Sequence, residues 1–373
     1  MIRKLTTWLL LAIIFINVFA TVYSNRILLV TKYDPQYWQS RYQESNWEKG
    51  WEGSSVMGDG ELYAYAGWRQ IQGDDPSKIN TEMPPLGKYL IGLSILLFNN
   101  PYWVSLVMGL LLIIITYQIS KLILKDCLWA LIPPCLLSFD GLFKDNLLTT
   151  MLDLPFAVFI SLSFYLLFKA RKNNRYYPLL LLSLGVVSAT KMYLVGFALT
   201  GVIFLFLLLL FLVFRYKDVF WFLLSTPMFI LIYFGSYIVY FLNNHNLWDF
   251  KYLHFWVRHF ARVQVDNYPQ FEIIRILMLG QWKTWWGGSG VVNVESWNVL
   301  WPISTITSLI TGIAAVFKKN LDLLILPLWI FSLIGMYTYG VPYPRYLLPV
   351  LPALYLSLVI LVEKILNFRY VKK

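Results

Sequence analysis

The chain alternates long apolar runs with short polar turns from one end to the other. The run 199–214 shows no alternation of apolar and polar positions at all. A hydrocarbon layer of roughly 30 Å takes about 20 apolar residues to cross as a helix. Lipid offers the backbone no hydrogen-bond partner, so these runs predict helices. A closed β-barrel would show short alternating segments instead. Reading runs against turns predicts ten crossings, at about 5–24, 102–120, 127–139, 147–168, 178–190, 193–214, 219–241, 297–316, 321–340 and 346–366. The segment 127–139 is short and contains Pro133 and Pro134, which predicts a kink or an extension to either side. Leu86–Phe98 is also short for a span. It reads as a helix lying in the outer interface, because counting it as a crossing (an eleventh) would carry the basic turn after it to the other side.

Composition agrees: 58% of residues are hydrophobic and 14% are charged, against about 25% charged in soluble domains. The net charge of +11 changes the picture only through its distribution. Six turns and ends hold 16 basic residues against four acids: Arg3 and Lys4; Lys121 and Lys125; Lys169, Arg171, Lys172 and Arg175; Arg215 and Lys217; Lys318 and Lys319; Lys364, Arg369, Lys372 and Lys373. The rest of the chain is nearly neutral, which is the positive-inside pattern and leaves no nucleic-acid footprint. Both termini are expected in the cytoplasm of a prokaryotic cell. No small-residue cleavage site follows the first apolar run, so it reads as a retained signal anchor. Cys127 and Cys135 form neither a disulfide framework nor a metal spacing.

Two long outer loops follow, roughly 25–85 and 242–296. They divide the chain into a module 1–240, the second loop 241–296 and C-terminal helices 297–373. Both loops are rich in aromatics, among them Trp38, Trp47, Tyr63 and Trp68 in the first. The second includes Trp248, Tyr252, Phe255, Tyr268, Trp285 and Trp286. Such residues suit helices at headgroup level.

Candidate chemistry lies in the first loop, at Gly58-Asp59-Gly60-Glu61 and at Glu82-Met83-Pro84-Pro85-Leu86-Gly87-Lys88. Asp59 precedes a short amphipathic helix, where it serves either as a helix cap or as an acid–base group. Glu82 precedes a Pro-Pro turn, and proline holds its preceding segment extended.

An outer-loop acid followed by Pro-Pro-Leu-Gly-Lys resembles the GT-C glycosyltransferases. The protein O-mannosyltransferases are the nearest type and the aminoarabinose transferases are cousins. Asp59 matches the catalytic Asp of that pattern and Glu82 an acid before Pro-Pro. Gly60 and Met83 stand where the mannosyltransferases carry Glu and His. The stretch Asp140–Asp153 (DGLFKDNLLTTMLD) matches at both ends, with Leu148 near the family's Arg and Lys144 a nearby cation. Ser188-Ala189-Thr190-Lys191 and Pro344-Arg345-Tyr346-Leu347-Leu348-Pro349 are similar to further family motifs, and 255–260 (FWVRHF) to a His-bearing one.

The resemblance implies an all-α, GT-C-like membrane bundle. Its activity would be an inverting, mannosyltransferase-like transfer from a polyprenyl-phosphate sugar to a hydroxyl of a protein, lipid or glycan at the outer face. Asp59 would be the base and Glu82 its assistant. Lys191, Arg345 and Lys88 would meet the phosphate, and Asp140, His254, His259 and Tyr63 the substrates. No cofactor is required, although a divalent cation is compatible. Two other readings stay open: a lipid-linked glycan transporter, and a subunit that kept the fold without the activity.

Overall fold

The computed structural model describes residues 2–211, 216–265, 270–284 and 290–371. Arg215, Tyr268, Trp285, Trp286, Lys372 and Lys373, named above, lie outside the described residues. The chain is a helical integral membrane protein that crosses the bilayer many times. Helix α1 (Ile2–Ser24) opens it. The first loop follows as α2 (Arg26–Val30), α3 (Pro35–Gln43), α4 (Asn46–Lys49) and α5 (Asp59–Ile71). Then come α6 (Pro85–Phe98), α7 (Trp103–Leu124), α8 (Cys127–Phe139), α9 (Gly141–Leu147), α10 (Asp153–Ala170), α11 (Tyr177–Thr190) and α12 (Tyr193–Phe211). After these run α13 (Tyr216–Leu224), α14 (Thr226–Ser236) and α15 (Ile238–Leu242). The second loop carries α16 (Leu247–Val265), α17 (Glu272–Leu279) and an antiparallel pair, β1 (Gln281–Lys283) and β2 (Val291–Asn293). Helices α18 (Leu300–Phe317), α19 (Ile325–Tyr337) and α20 (Leu351–Val371) close the chain.

The helices match the expected runs closely, but the count of ten crossings is not reproduced. Among the described residues six helical segments are long and apolar enough to span, and a seventh if α8 and α9 count as one. Helix α11 has 14 residues and α19 has 13, so at 1.5 Å per residue each reaches only about 20 Å. The short segment 127–139 continues past its end, as α9. Pro133 and Pro134 lie inside α8, and the bend, 68°, falls at Asp140 between α8 and α9. Asp140 caps α9 there, accepting a hydrogen bond from the Phe143 amide at 3.2 Å. The β1–β2 pair, in a loop expected to hold only helices, is the small exception to an all-α chain among the described residues.

The buried share of the spanning windows rises from 11% in α1 to 78% in α10, so α10 is the centre of the bundle. Helices α1, α12 and α13 instead present large apolar side chains such as Trp8, Phe15, Leu209 and Phe220 outward, as a lipid-facing surface does. Helix α5 crosses α6 at a close approach. A Cβ at Gly67 would lie 2.3 Å from the Lys88 carbonyl oxygen, and one at Gly92 would lie 2.2 Å from the Gly67 oxygen. Small residues allow such crossings in membranes. Gly87 brings α6 equally close to α11, since its Cβ would meet the Thr190 oxygen at 2.4 Å. These contacts lay the first loop over the N-terminal end of α10.

The basic turns collect at the other end of the bundle. Arg3 pairs with Asp126, and Arg171 with Asp322 at 2.5 Å. Lys364, in the second half of α20, lies near Lys318, the C-cap of α18.

Candidate active site

Four charged side chains from four distant segments meet at the loop end of α10. Asp59 is the first residue of α5, Asp153 the first of α10, and Lys191 follows the last turn of α11. Arg345 lies in the 3-10 turn Pro344–Leu347 ahead of α20. Lys191 Nζ donates to Asp153. Arg345 Nη2 donates to Asp59 Oδ2 at 2.7 Å, and Arg345 Nε lies 3.5 Å from Asp153 Oδ2. The result is a chain Lys191–Asp153–Arg345–Asp59 in which charges alternate and cancel.

Two rings shape it. Lys191 Nζ stands 4.4 Å from the centroid of Tyr346, and the Arg345 guanidinium 4.2 Å from that of Tyr343. Such contacts hold cations over aromatic faces. Side-chain exposure grades outward, from 2% and 3% at Lys191 and Asp153 to 20% at Arg345 and 33% at Asp59. The Asp59–Arg345 side of the cluster is therefore the accessible one. Burial alone would lower the Arg345 pKa, but Asp153, Tyr346 and Asp59 more than reverse that and hold the guanidinium charged.

The capping alternative for Asp59 does not hold. Gly58 occupies the cap position, and Glu61 Oε2 accepts the Gly58 amide at 3.1 Å. The Asp59 carboxylate is thereby left to Arg345. Gly60, a departure from the family pattern, has a local reason. Thr150 Oγ1 donates to the Gly60 carbonyl at 2.6 Å, and a Cβ at position 60 would lie 2.7 Å from that oxygen. This contact fixes the first turn of α5 against the segment leading into α10.

Glu82 lies close enough to Asp59 for their charges to interact. It is half-buried rather than held open by the Pro-Pro turn, and Asn80 Nδ2 donates to it at 2.5 Å. Burial pushes its carboxyl above the ordinary glutamate range, with Asp59 adding to the rise and Lys88 opposing it. Lys88 is fully buried, and its ammonium donates to the carbonyls of Asn80 (2.6 Å) and Met83 (2.8 Å). It ties down the loop that carries Glu82 and does not join the Lys191–Arg345 chain. Tyr63 is buried beneath the cluster. Burial raises its phenol far above the usual range, reinforced by Asp59 and only partly offset by Arg345.

The other expected substrate residues stand apart. Asp140 is buried and accepts from Asn298 (3.0 Å), Trp301 (2.8 Å) and Tyr355, a post that joins α8, α18 and α20. His254 lies in an aromatic cluster, 2.5 Å from the Tyr233 hydroxyl, with its other nitrogen on the Phe250 carbonyl at 2.9 Å. Burial lowers its pKa. His259 is exposed on α16. Lys144 lies 5.8 Å from the Phe139 ring.

Two members of the cluster were absent from the expected set: Asp153 and Tyr346. Asp153 was visible as the end of the Leu-Asp motif and Tyr346 as the neighbour of Arg345, but nothing in their spacing showed their partners. Asp153 was expected several residues inside a crossing, yet it starts α10. Among the described residues no group of three or more His, Cys, Asp or Glu side chains is placed to hold a metal ion.

Comparison with known proteins bears on the fold. The family model described as dolichyl-phosphate-mannose-protein mannosyltransferase matches residues 82–240. ArnT from Cupriavidus metallidurans, bound to undecaprenyl phosphate, has a similar fold. Its TM-score is 0.65 at 16% identity, over 94% of this chain and 59% of that one. The apo form of the same protein gives 0.61 at 17% identity, over 82% and 55%. The Archaeoglobus fulgidus oligosaccharyltransferase gives 0.58 at 14% identity, over 97% and 52%. No curated protein matches. The chain has the fold of the GT-C glycosyltransferases. In sequence it resembles their mannosyltransferase branch over 82–240, and it spans little more than half the length of the structures it matches.

Proposed function

We propose that the protein is an inverting glycosyltransferase that moves a sugar from a polyprenyl-phosphate donor to an acceptor hydroxyl at the outer membrane face. The observation that carries this reading is the Lys191–Asp153–Arg345–Asp59 chain, which sets a carboxylate and a guanidinium side by side at the more exposed end of the cluster. Arg offers phosphate oxygens a planar fork. Undecaprenyl phosphate in the ArnT structure supports a lipid phosphate as the ligand class.

In this mechanism the donor phosphate engages Arg345 and draws it from Asp59. The freed carboxylate takes the acceptor proton while the acceptor oxygen bonds the anomeric carbon. The carbon–oxygen bond to phosphate breaks on the opposite side, and polyprenyl phosphate leaves with that electron pair. This is the general-base role of an inverting enzyme. Glu82 assists by orienting the acceptor. The acceptor is a hydroxyl of a protein, a lipid or a glycan; mannose is the sugar the family model favours.

The test incubates purified protein with a panel of polyprenyl-phosphate sugars and follows release of polyprenyl phosphate. The wild type should turn over at least one donor. Asp59→Asn should lose about 10²–10⁴ in rate with its thermal unfolding unchanged, the usual size of a general-base contribution. An undiminished rate in that variant removes Asp59 from the chemistry.

A further inference from the structure

The opposite end of the bundle holds a cavity unrelated to the Asp59 cluster. Helix α10 runs 18 residues from Asp153 to Ala170, about 27 Å at 1.5 Å per residue. Helix α11 returns along it to Lys191. The turn between them therefore lies a membrane's depth from the Asp59 cluster. A cavity of about 550 Å³ opens there, lined by Lys172, Asn173, Asn174, Arg175, Pro178 and Trp221.

Its chemistry is one-sided. Lys172 and Arg175 are both exposed, and among the described residues neither makes an ion pair. Arg171, just before them, is turned inward and held by Asp322 at 2.5 Å, with Phe206 5.9 Å from its guanidinium. That anchor fixes the turn, so the next two cations and two amides face the cavity together. No acid lines it. Trp221, near the start of the α13–α14 span, supplies a wall of the kind that sits at headgroup level.

We propose that this cavity binds the phosphate of an anionic phospholipid headgroup from the leaflet opposite the Asp59 cluster. Basic pockets between membrane helices recognise such headgroups, and each Lys or Arg near an anionic surface contributes severalfold in affinity. The guanidinium of Arg175 takes two phosphate oxygens, the Lys172 ammonium neutralises the remaining charge, and the Asn amides reach the glycerol. The lipid tails lie along the exposed apolar side chains of α13, among them Phe220 and Leu224. The site does not depend on the reaction at Asp59.

Native mass spectrometry of the full-length protein in detergent tests it, with phosphatidylglycerol titrated against phosphatidylcholine. The wild type should retain phosphatidylglycerol in preference. Lys172→Gln/Arg175→Gln should weaken that retention by about thirtyfold, the sum of two surface cations. Lys121→Gln/Lys125→Gln removes two cations from the same end outside the cavity and should leave retention unchanged. A parallel titration with glycerol 3-phosphate separates the sources of the phosphate. Binding that the cavity variant abolishes would keep the site and assign it a soluble phosphate. Equal retention of both lipids by the wild type, or equal losses in the two double variants, would overturn the proposal.

Discussion

Asp153 is the position where the charge chain can be tested most sharply, because it serves two cations. Its carboxylate meets Lys191 on one oxygen and lies 3.5 Å from Arg345 on the other, with only 3% of the side chain exposed. Asp153→Asn leaves two cations facing each other in a nearly dry site. Arg345 keeps Asp59, but Lys191 loses its partner, and removing one partner of a buried ion pair costs about 3–5 kcal/mol because the remaining charge has no compensation. Lys191→Met removes a cation instead, yet Asp153 keeps Arg345 beside it, so the loss should be smaller, about 1–3 kcal/mol. The double variant Asp153→Asn/Lys191→Met removes both charges and should recover much of the loss, since apolar or neutral replacement of a whole pair is often tolerated. Denaturant unfolding in a fixed detergent, followed by tryptophan fluorescence, would rank the three. The expected order of stability is wild type, then Lys191→Met, with Asp153→Asn lowest and the double variant above it. If Asp153→Asn were as stable as Lys191→Met, or if the two losses simply added, the pair and its shared arginine would not be coupled as described.

Three further outcomes are expected. Asp75 is buried, which raises its pKa, but hydrogen bonds from His245 (2.7 Å) and Ser77 outweigh that and leave it below the ordinary aspartate range. Its stabilisation is present above the unfolded value near 3.9 and is lost as pH falls through the lower folded value. Thermal unfolding below about pH 4 should therefore fall more steeply for wild type than for Asp75→Asn, and parallel profiles would dismiss the link between the two outer loops. Glu82, pushed upward by burial, should give the pH–rate profile a limb above the ordinary glutamate range. That limb should vanish in Glu82→Gln; its survival would assign it to another group. Gly67→Ala forces α5 from the α6 backbone and should cost about 1–3 kcal/mol, whereas Gly235→Ala, with open space around it, should stay within about 0.5 kcal/mol. Matching unfolding curves for the two would show that the crossing is not tight.

The spans were legible because apolar runs are a local property, and lipid forces them into helices whatever their neighbours do. The bend at Asp140 was not legible. Pro133 and Pro134 were the visible breakers, but both are absorbed inside α8, and the chain turns where a buried carboxylate holds Asn298, Trp301 and Tyr355. Asp59, Glu82, Lys191 and Arg345 were legible as residue types beside motifs, because charge is rare and conspicuous at the ends of membrane helices. Their partners were not, since Arg345 and Asp59 are 286 positions apart and no periodicity reaches that far. Lys88 shows the limit most plainly. Its place after Pro-Pro-Leu-Gly made it a phosphate candidate, yet its ammonium is consumed by two backbone carbonyls of the very loop that presents Glu82. A motif states which charges a site contains. Whether a charge is open to a ligand or already committed depends on which backbone groups the fold leaves unsatisfied nearby. In this chain that accounting sends Lys88 to the scaffold, and it leaves Arg345, poised between two carboxylates, as the cation with an alternative partner to exchange.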